Sequence, residues 1–335
     1  MKTRSLLSQV PVLCLLALML TGLAIAGTAT PQDKTKVPEA EAKAIAAIEA
    51  APDINAKMVA AEEFVKKYPK STSRQHVAEY IVDQIRAAGD PAQKLALAQK
   101  FPTVFTDKSE ADLSKPALID AYIQLARFDE AFAEGAAHLA KKSDDTSVLV
   151  NLTITGVEQA KNQNPKYVNA SRQYGTRAIE LFEANKKPAD MDEAVWEKQK
   201  AMLPQVYQEL AVVSLMERNT AEARAKLEKA VKLNAADPFS YMLLGSITNE
   251  EYQQLAQAYK SMPEGKAKDD TLQKANALLD KVIDQYAHAV ALSEGKPPYQ
   301  RFHDELLKDL ASYYNYRHSG SSDGLQKLID TYKQP

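Results

Sequence analysis

The sequence contains very little cysteine or glycine and has no excess of basic residues, and each shortage excludes a class of protein. Cys14 is the single cysteine among 335 residues, so the chain cannot build the disulfide framework of a small secreted domain. Eleven glycines leave little material for the glycine-rich loops that bind phosphates and dinucleotides. Lysine and arginine number 42, against 44 aspartates and glutamates. Without a basic excess, no nucleic-acid partner is predicted.

Motifs for catalysis and metal binding are also missing from the sequence. The five histidines are widely scattered, and no two have the i, i+4 spacing of a helical zinc site. The nearest approach is His303-Asp304-Glu305, whose consecutive side chains would point to different sides of a helix and favour a solvated face. No Gly-x-Ser-x-Gly element occurs. We therefore predict a non-enzymatic protein with no catalytic residue, no metal and no cofactor.

Residues 1–26 are predicted to be a signal peptide. A basic start is followed by the apolar run Val10–Ile25, and Ala24-Ile25-Ala26 has the small-x-small pattern of a cleavage site. The apolar run of about 16 residues is shorter than the roughly 20 that span a bilayer. We favour cleavage after Ala26 over a retained N-terminal anchor, so we expect no membrane span in the mature chain.

Export as a lipoprotein is disfavoured. Leu13 precedes Cys14, a position where lipoprotein processing requires a small residue. Once the signal peptide is removed, the chain has no cysteine, and a length of about 309 residues can bury enough core without disulfides. These features predict an exported protein, periplasmic or secreted, of the Gram-negative bacterial type.

Residues 203–248 predict one complete helix–turn–helix unit and the first half of the next. Each predicted helix collects its apolar and small residues on one face at a period of 3.6. These residues are Tyr207, Leu210, Ala211 and Ser214, then Ala223, Leu227, Ala230 and Val231, and after Pro238 the set Tyr241, Leu244, Gly245 and Thr248. So thin a pair of helices cannot bury its apolar face alone and must stack on neighbouring pairs.

This order of residues resembles the tetratricopeptide repeat, with aromatic-x2-Leu-Gly in the first helix and small residues in the second. Residues 116–141 repeat the pattern, where Phe128-Asp129-Glu130-Ala131 opens a second helix, and residues 60–71 end a helix on Tyr68-Pro69. The resemblance implies an all-α fold, a right-handed α-solenoid of antiparallel helix pairs. It also implies an irregular, exported bacterial member of the family.

On this interpretation the mature chain has three parts and several irregularities. Residues 27–38 form a flexible leader, residues 39–298 the helical repeats, and residues 299–335 the capping helices that end a repeat array. Insertions between helices are expected at 185–192 and 252–270. We also expect Ala170, Tyr174 and Arg177 to form the packed face of the helix near residues 166–184.

The resemblance further implies a non-catalytic scaffold whose first helices line a groove for a peptide or another protein. Four side chains have the phase to face such a groove: Asn151, Gln208, Ser246 and Asn249. Two other functions stay open at this point. One is a soluble carrier that holds a small molecule or glycan between helices, covered by residues 249–271. The other is a hydrolase too degenerate to show its motif.

A local excess of tyrosine near the C-terminus gives a second candidate for partner binding. It comprises Tyr313, Tyr314, Tyr316 and Arg317. Tyrosine and arginine are enriched in binding hot spots because they combine apolar area with polar groups. The interpretation that we favour is structural: Tyr313 and Tyr314 close the end of the core, and Tyr316 faces water.

Overall fold

The computed structural model describes residues 37–189 and 191–333. The predicted signal peptide, residues 1–26, and the predicted leader up to residue 36 lie outside the described residues. The described chain divides into two compact units, residues 37–152 and residues 153–333. Both consist of helices, and neither described range contains a β-strand. The all-α prediction is confirmed.

Residues 37–152 form a series of short helices in which each packs on its neighbours in the chain. They are α1 (Glu39–Ala50), α2 (Ile54–Lys67), α3 (Arg74–Ala87), α4 (Pro91–Val104), α5 (Lys108–Ala111), α6 (Lys115–Gln124), α7 (Phe128–Leu139) and the first part of α8 (Thr146–Lys161). Contacts run from α1 to α2, from α2 to α3, and from α4 through α6 to α7. Such neighbour-to-neighbour packing is typical of a helical repeat.

Residues 153–333 continue the series with longer helices. They are the rest of α8, then α9 (Val168–Glu183), α10 (Glu193–Lys200), α11 (Leu203–Met216), α12 (Thr220–Leu233), α13 (Pro238–Ser261), α14 (Lys266–Ser293), α15 (Gln300–Arg317) and α16 (Leu325–Thr331). Here α9 packs on α11, α11 on α12, α12 on α13, and α13 on α14. Both α15 and α16 pack on α14, at the end of the series where capping helices are predicted.

The two longest helices, α13 and α14, form an antiparallel hairpin. Three contacts show the direction: Tyr241 stacks on His288, Gly245 lies against Tyr286, and Thr248 donates a hydrogen bond to Gln285 at 2.8 Å. The α14 partner therefore moves backwards along the chain as the α13 residue moves forwards. A side chain at Gly245 would overlap the Tyr286 ring, so glycine is required for this close approach.

Aspartate and asparagine side chains begin many of these helices. Asp237 accepts hydrogen bonds from the backbone N–H groups of Phe239 and Ser240 at 3.3 and 2.9 Å, and Pro238 occupies the first helical position. Asp90 caps α4 in the same way. Such caps satisfy N–H groups that have no partner inside the helix and contribute about 1 kcal/mol each.

The prediction that residues 252–270 are an insertion between helices is wrong. Those residues are mostly helical, because α13 continues to Ser261 and α14 begins at Lys266. The extra residues lengthen the hairpin at its far end and leave a connection of only 262–265. Residues 184–192, by contrast, hold no helix in their described part, as the insertion predicted there requires.

The packed face predicted for α9 is wrong by one residue. Ser171, Gly175 and Ala178 are buried, whereas Ala170, Tyr174 and Arg177 are half-buried. Gly175 sets the phase, since a Cβ there would clash with the Leu210 side chain of α11. The small residue that allows close packing is therefore glycine rather than alanine.

Candidate functional site

Tyr286 of α14 is a buried residue whose polar atom has no partner. Its side chain is 0% exposed, and the hydroxyl makes no hydrogen bond with any described residue. Burial raises the pKa of this phenol, so it keeps its proton at all physiological pH values. A buried hydroxyl left unpaired costs about 1–3 kcal/mol, which is rare enough in folded proteins to require a reason.

Polar side chains of α13 lie beside the Tyr286 hydroxyl. Ser246 and Asn249 lie close enough to lower the pKa of the phenol slightly, although neither meets hydrogen-bond geometry. The Ser246 hydroxyl donates to the Met242 carbonyl at 2.9 Å, and the Asn249 amide oxygen accepts from Gln253 at 3.5 Å. Ser246, Asn249 and Gln253 are each half-buried, so they lie between the core and the solvent.

Tyrosines of α13 and α15 meet next to the same hydroxyl. The Tyr313 ring lies 6.3 Å from the Tyr252 ring in an edge-to-face arrangement and 6.2 Å from the Tyr286 ring. Such ring pairs each add roughly 0.5–1.5 kcal/mol beyond burial. Burial raises the pKa of Tyr252 most strongly, and Tyr316 and Tyr313 add to that rise, which shows that Tyr316 also borders the group.

We call this group the tyrosine cluster. It consists of Ser246, Asn249, Tyr252, Gln253, Tyr286, Asp309, Tyr313 and Tyr316. Its members come from three helices, and their exposure rises from Tyr286 at 0% through Tyr252 at 9% to Tyr316 at 71%. The cluster therefore runs from an unpaired hydroxyl in the core to an exposed aromatic ring, with amide groups in between.

Asp309 supplies the acidic edge of the tyrosine cluster. Its charge raises the pKa values of both Tyr286 and Tyr313, so its carboxyl group is close to both phenols. Partial burial of that carboxyl group, and to a lesser degree the charge of Glu305, raises the pKa of Asp309. No described residue forms an ion pair with either carboxylate.

The four predicted groove residues lie on three helices, α8, α11 and α13. Ser246 and Asn249 belong to the tyrosine cluster, but the Gln208 amide is held by Asp237 and by Ser240 Oγ, the latter at 2.9 Å. Gln208 thus joins α11 to the start of α13. Asn151 lies in the other compact unit, half-buried on α8.

The predicted aromatic patch also divides. Tyr314 is buried, and its hydroxyl donates to the Asp323 carbonyl at 2.8 Å, which holds the connection between α15 and α16. Arg317 forms a two-pronged ion pair with Asp280 of α14, with contacts of 2.7 and 3.1 Å. Tyr313 and Tyr316 remain as members of the tyrosine cluster.

Sequence reasoning missed Tyr252, Gln253, Tyr286 and Asp309 as members of a site. Tyr252 and Gln253 fell in the expected insertion, and the spacing of Val282, Tyr286 and Ala289 predicts only the packed face of a helix. A usable signal exists for Asp309, since Glu305, Asp309, Tyr313 and Tyr316 follow spacings of 4, 4 and 3 and so share one face of a helix.

A separate charged group ties two other helices together. Lys161 of α8 contacts Glu158 and, on α11, Glu209, both at 2.9 Å. Burial opposes the charged form of the lysine, but the two carboxylates outweigh it and raise the pKa of Lys161. Because every member of this group is already paired, its role is to hold α8 against α11.

The described residues contain neither a candidate metal site nor a membrane-spanning helix. No three His, Cys, Asp or Glu side chains come together there in a way that could hold a metal ion. His303 makes its contact with Ser293 Oγ of α14, 2.9 Å from Nδ1. In the same residues, no helix combines the length and the apolar character needed to cross a bilayer.

Comparison with known proteins gives a similarity of fold. No family model matches the chain, and no curated protein does. PilF from Pseudomonas aeruginosa is 16% identical, with a TM-score of 0.40 over 77% of this chain and 97% of that one. A tetratricopeptide repeat protein from Parabacteroides merdae ATCC 43184 is 12% identical, with a TM-score of 0.41 over 88% of this chain and 99% of that one. The chain is similar to these helical proteins, at low identity.

Proposed function

We propose that this chain is a non-catalytic scaffold that binds a polypeptide segment of another protein at the tyrosine cluster. The observation that carries the proposal is the Tyr286 hydroxyl, buried and without a partner among the described residues. A group that folding leaves unsatisfied is satisfied when a bound molecule supplies the missing hydrogen bond. Ser246 and Asn249 beside it give the bound molecule further polar contacts.

The chemistry of the cluster suits a polypeptide. Asn249 and Gln253 are amides, which can donate to a backbone carbonyl and accept from a backbone N–H. Tyr313 and Tyr316 offer large rings with few rotatable bonds, the residue type that most often carries binding energy at protein interfaces. Because Tyr316 is 71% exposed, a partner can reach it without any rearrangement of α15.

Binding by a purified mature chain tests the proposal. The bait is the full chain from Gly27, compared with an Asn249→Ala, Tyr316→Ala double variant. Leu233→Ala is the matched control, because Leu233 is 52% exposed on α12, outside the tyrosine cluster. We expect a partner that is retained by the parent and by Leu233→Ala and lost with the double variant. A partner retained equally by all three would contradict the assignment.

We also propose that the chain acts outside the cytoplasm, in the periplasm or as a secreted protein. The support is the basic start, the apolar run Val10–Ile25 and the small-x-small sequence before Gly27. Cell fractionation of the native protein tests this. Recovery in the cytoplasmic fraction with Met1 still present would contradict it.

A soluble carrier is the second candidate function. Its support is a groove of about 480 Å³ between α1 and the start of α3, lined by Val37, Ile45, Glu49 and His76 among others. That volume is within the usual range for small-molecule sites, but such sites usually enclose most of the ligand. Stabilisation by members of a metabolite panel, abolished by Ile45→Asp, would favour this function.

A further inference from the structure

The outer face of α15 carries two adjacent carboxylates that have no cationic partner in the described structure. Glu305 and Asp309 are exposed and lie one helical turn apart, a spacing at which like charges repel. Neither forms an ion pair or hydrogen bond with a described residue. Asp304, in contrast, accepts a hydrogen bond from Gln300 at 2.8 Å. Neither carboxylate of this face is therefore ion-paired within the described chain.

Tyrosine rings extend the same face by two further turns. Glu305, Asp309, Tyr313 and Tyr316 make a stripe along 12 residues of α15, about 16 Å long. At its middle, Asp309 acts on both the Tyr313 phenol and the buried, unpaired hydroxyl of Tyr286 on α14. Carboxylates and ring faces thus adjoin one another along α15, with the Tyr286 hydroxyl buried beneath them.

No positive charge near the stripe forms an ion pair with its carboxylates in the described structure. Arg317, one turn beyond Tyr313, is bound by Asp280. Arg224, which reaches α13 from α12, is bound by Glu251 at 2.8 Å. Arg301 and Lys308 stand four residues before and three residues after Glu305, close enough to reach it, but neither forms an ion pair with it. Asp309 and the tyrosine rings beyond it are therefore the part of the stripe that is most available to a cation from outside.

We propose that the segment bound at the tyrosine cluster is basic, with a lysine or arginine side chain that lies against Tyr313 and Tyr316 and pairs with Asp309 and Glu305. This inference rests on the proposed function and names the chemistry of its partner. An ammonium or guanidinium group is attracted to the faces of tyrosine rings, and complementary charge steers and selects the partner. The half-buried Asn249 amide beside the Tyr286 hydroxyl can accept a hydrogen bond from such a group or from the adjoining peptide N–H.

Fluorescence anisotropy with defined peptides tests the inference. The probes are labelled nonapeptides that alternate alanine with lysine, arginine, serine or glutamate, titrated with the full mature chain at two salt concentrations. We expect the lysine and arginine peptides to bind, more weakly at high salt because surface charges are screened. The Glu305→Gln, Asp309→Asn double variant should weaken that binding about tenfold, and Tyr316→Ala about three- to fivefold, as expected of charge pairs and ring contacts at this exposure.

Asp304→Asn is the matched control, since it removes one exposed carboxylate from the same helix but from outside the stripe. This variant should bind the lysine and arginine peptides as tightly as the parent does. A loss of affinity as large as that of the double variant would mean that net charge alone attracts the peptide, and would overturn the proposal. Binding of the serine or glutamate peptide as tightly as the lysine peptide would also overturn it. Displacement of the lysine peptide by spermine, at an equal concentration of positive charges, would overturn it too. The site would then bind free cations rather than a polypeptide.

The two proposals fail separately. If the bait experiment recovers a partner through Asn249 and Tyr316 while no basic peptide binds, polypeptide binding stands and the basic segment is wrong. If basic peptides bind with the expected variant pattern, the inference stands and its source is then sought among basic segments of exported proteins. If no basic peptide binds and no partner is captured in a variant-sensitive way, both proposals are overturned.

Discussion

Close packing at Gly245 shows how one residue determines the helix hairpin beneath the tyrosine cluster. A methyl group at this position would overlap the Tyr286 ring, and because that ring is fully buried, it has little room to move. The glycine that lets α13 approach α14 therefore also fixes the position of the Tyr286 hydroxyl.

Gly245→Ala is expected to lower the free energy of unfolding by about 1–3 kcal/mol, the usual cost of overpacking a core. Gly89→Ala is the control, because a Cβ there would meet no atom within 4 Å; it should change stability by less than about 0.5 kcal/mol. Urea unfolding followed by circular dichroism measures both. Equal stability of the two variants would show that the Tyr286 ring can move aside.

A histidine stack near the C-terminus predicts a pH effect on stability. His288 lies between the rings of Tyr241 and Tyr332, with centroid distances of 4.4 and 3.4 Å. Burial lowers the pKa of His288, and the charge of Asp284 offsets this only in part. The unfolded chain therefore takes up a proton on His288 at a higher pH than the folded chain does.

Stability should accordingly fall as the pH drops below about 6.5, the ordinary pKa of histidine, towards the lowered value in the folded chain. His288→Phe keeps the ring stack but cannot titrate. Between pH 7.5 and pH 5.5, we expect the unfolding free energy of the parent to fall relative to that of this variant. A shift in the opposite direction would mean that protonation is favoured in the folded chain, through Asp284.

The Tyr286 hydroxyl also marks the limit of prediction at the residue scale. Periodicity in α14 predicts that Tyr286 is buried, and it is. Its missing hydrogen bond depends on where Ser246 of α13 and Tyr313 of α15 place their side chains. That depends on packing between helices distant in sequence, and no local pattern contains it.

At the scale of the helix, Asp237 both caps one helix and binds a second. It caps α13 through two backbone N–H groups and also accepts from the Gln208 amide of α11. Asp90 caps α4 through two backbone N–H groups alone. Removal of each aspartate therefore shows how much stability a cap contributes with and without an additional contact between helices.

Asp237→Ala is expected to cost about 1–2 kcal/mol, more than the cost of about 1 kcal/mol for Asp90→Ala, because only the first change also removes one of the two hydrogen bonds of the Gln208 amide. Thermal unfolding of the two variants tests the order. An equal or reversed order would show that Gln208 finds another partner.

Sequence periodicity predicted most helices of this chain but not their exact faces or ends. Phe128 was predicted to open a helix, and α7 begins at that residue. In α9 the buried face is shifted by one residue, because alanine and glycine are equally plausible small residues before the partner Leu210 is known. The run 252–270 looked like an insertion since it is polar. It is helical because an exposed helix end needs no apolar face.

At the scale of the whole molecule, the all-α class follows from the sequence, while the division into residues 37–152 and residues 153–333 does not. The division lies inside α8, a helix with no break in its pattern. A boundary of this kind depends on which long-range contacts form, and local periodicity carries no information on them. The tyrosine cluster belongs wholly to the second unit.

Export of the chain is a prediction at the same scale. If residues 1–26 are removed, the mature protein begins at Gly27. Mass spectrometry of the native protein should therefore find an N-terminal peptide that starts at Gly27 and none that contains Cys14. Retention of Met1–Ala26 in the exported protein would support the alternative of an N-terminal anchor.

Polypeptide binding at the tyrosine cluster is most directly tested by photo-crosslinking from Tyr316. The photoreactive residue p-benzoylphenylalanine replaces Tyr316 in one protein and Leu233 in a second, both expressed with the signal sequence in the native host. We expect a discrete crosslinked protein from position 316 alone, lost when Asn249→Ala and Asp309→Asn are added. The same products from both positions, or none that depend on Asn249 and Asp309, would contradict the account.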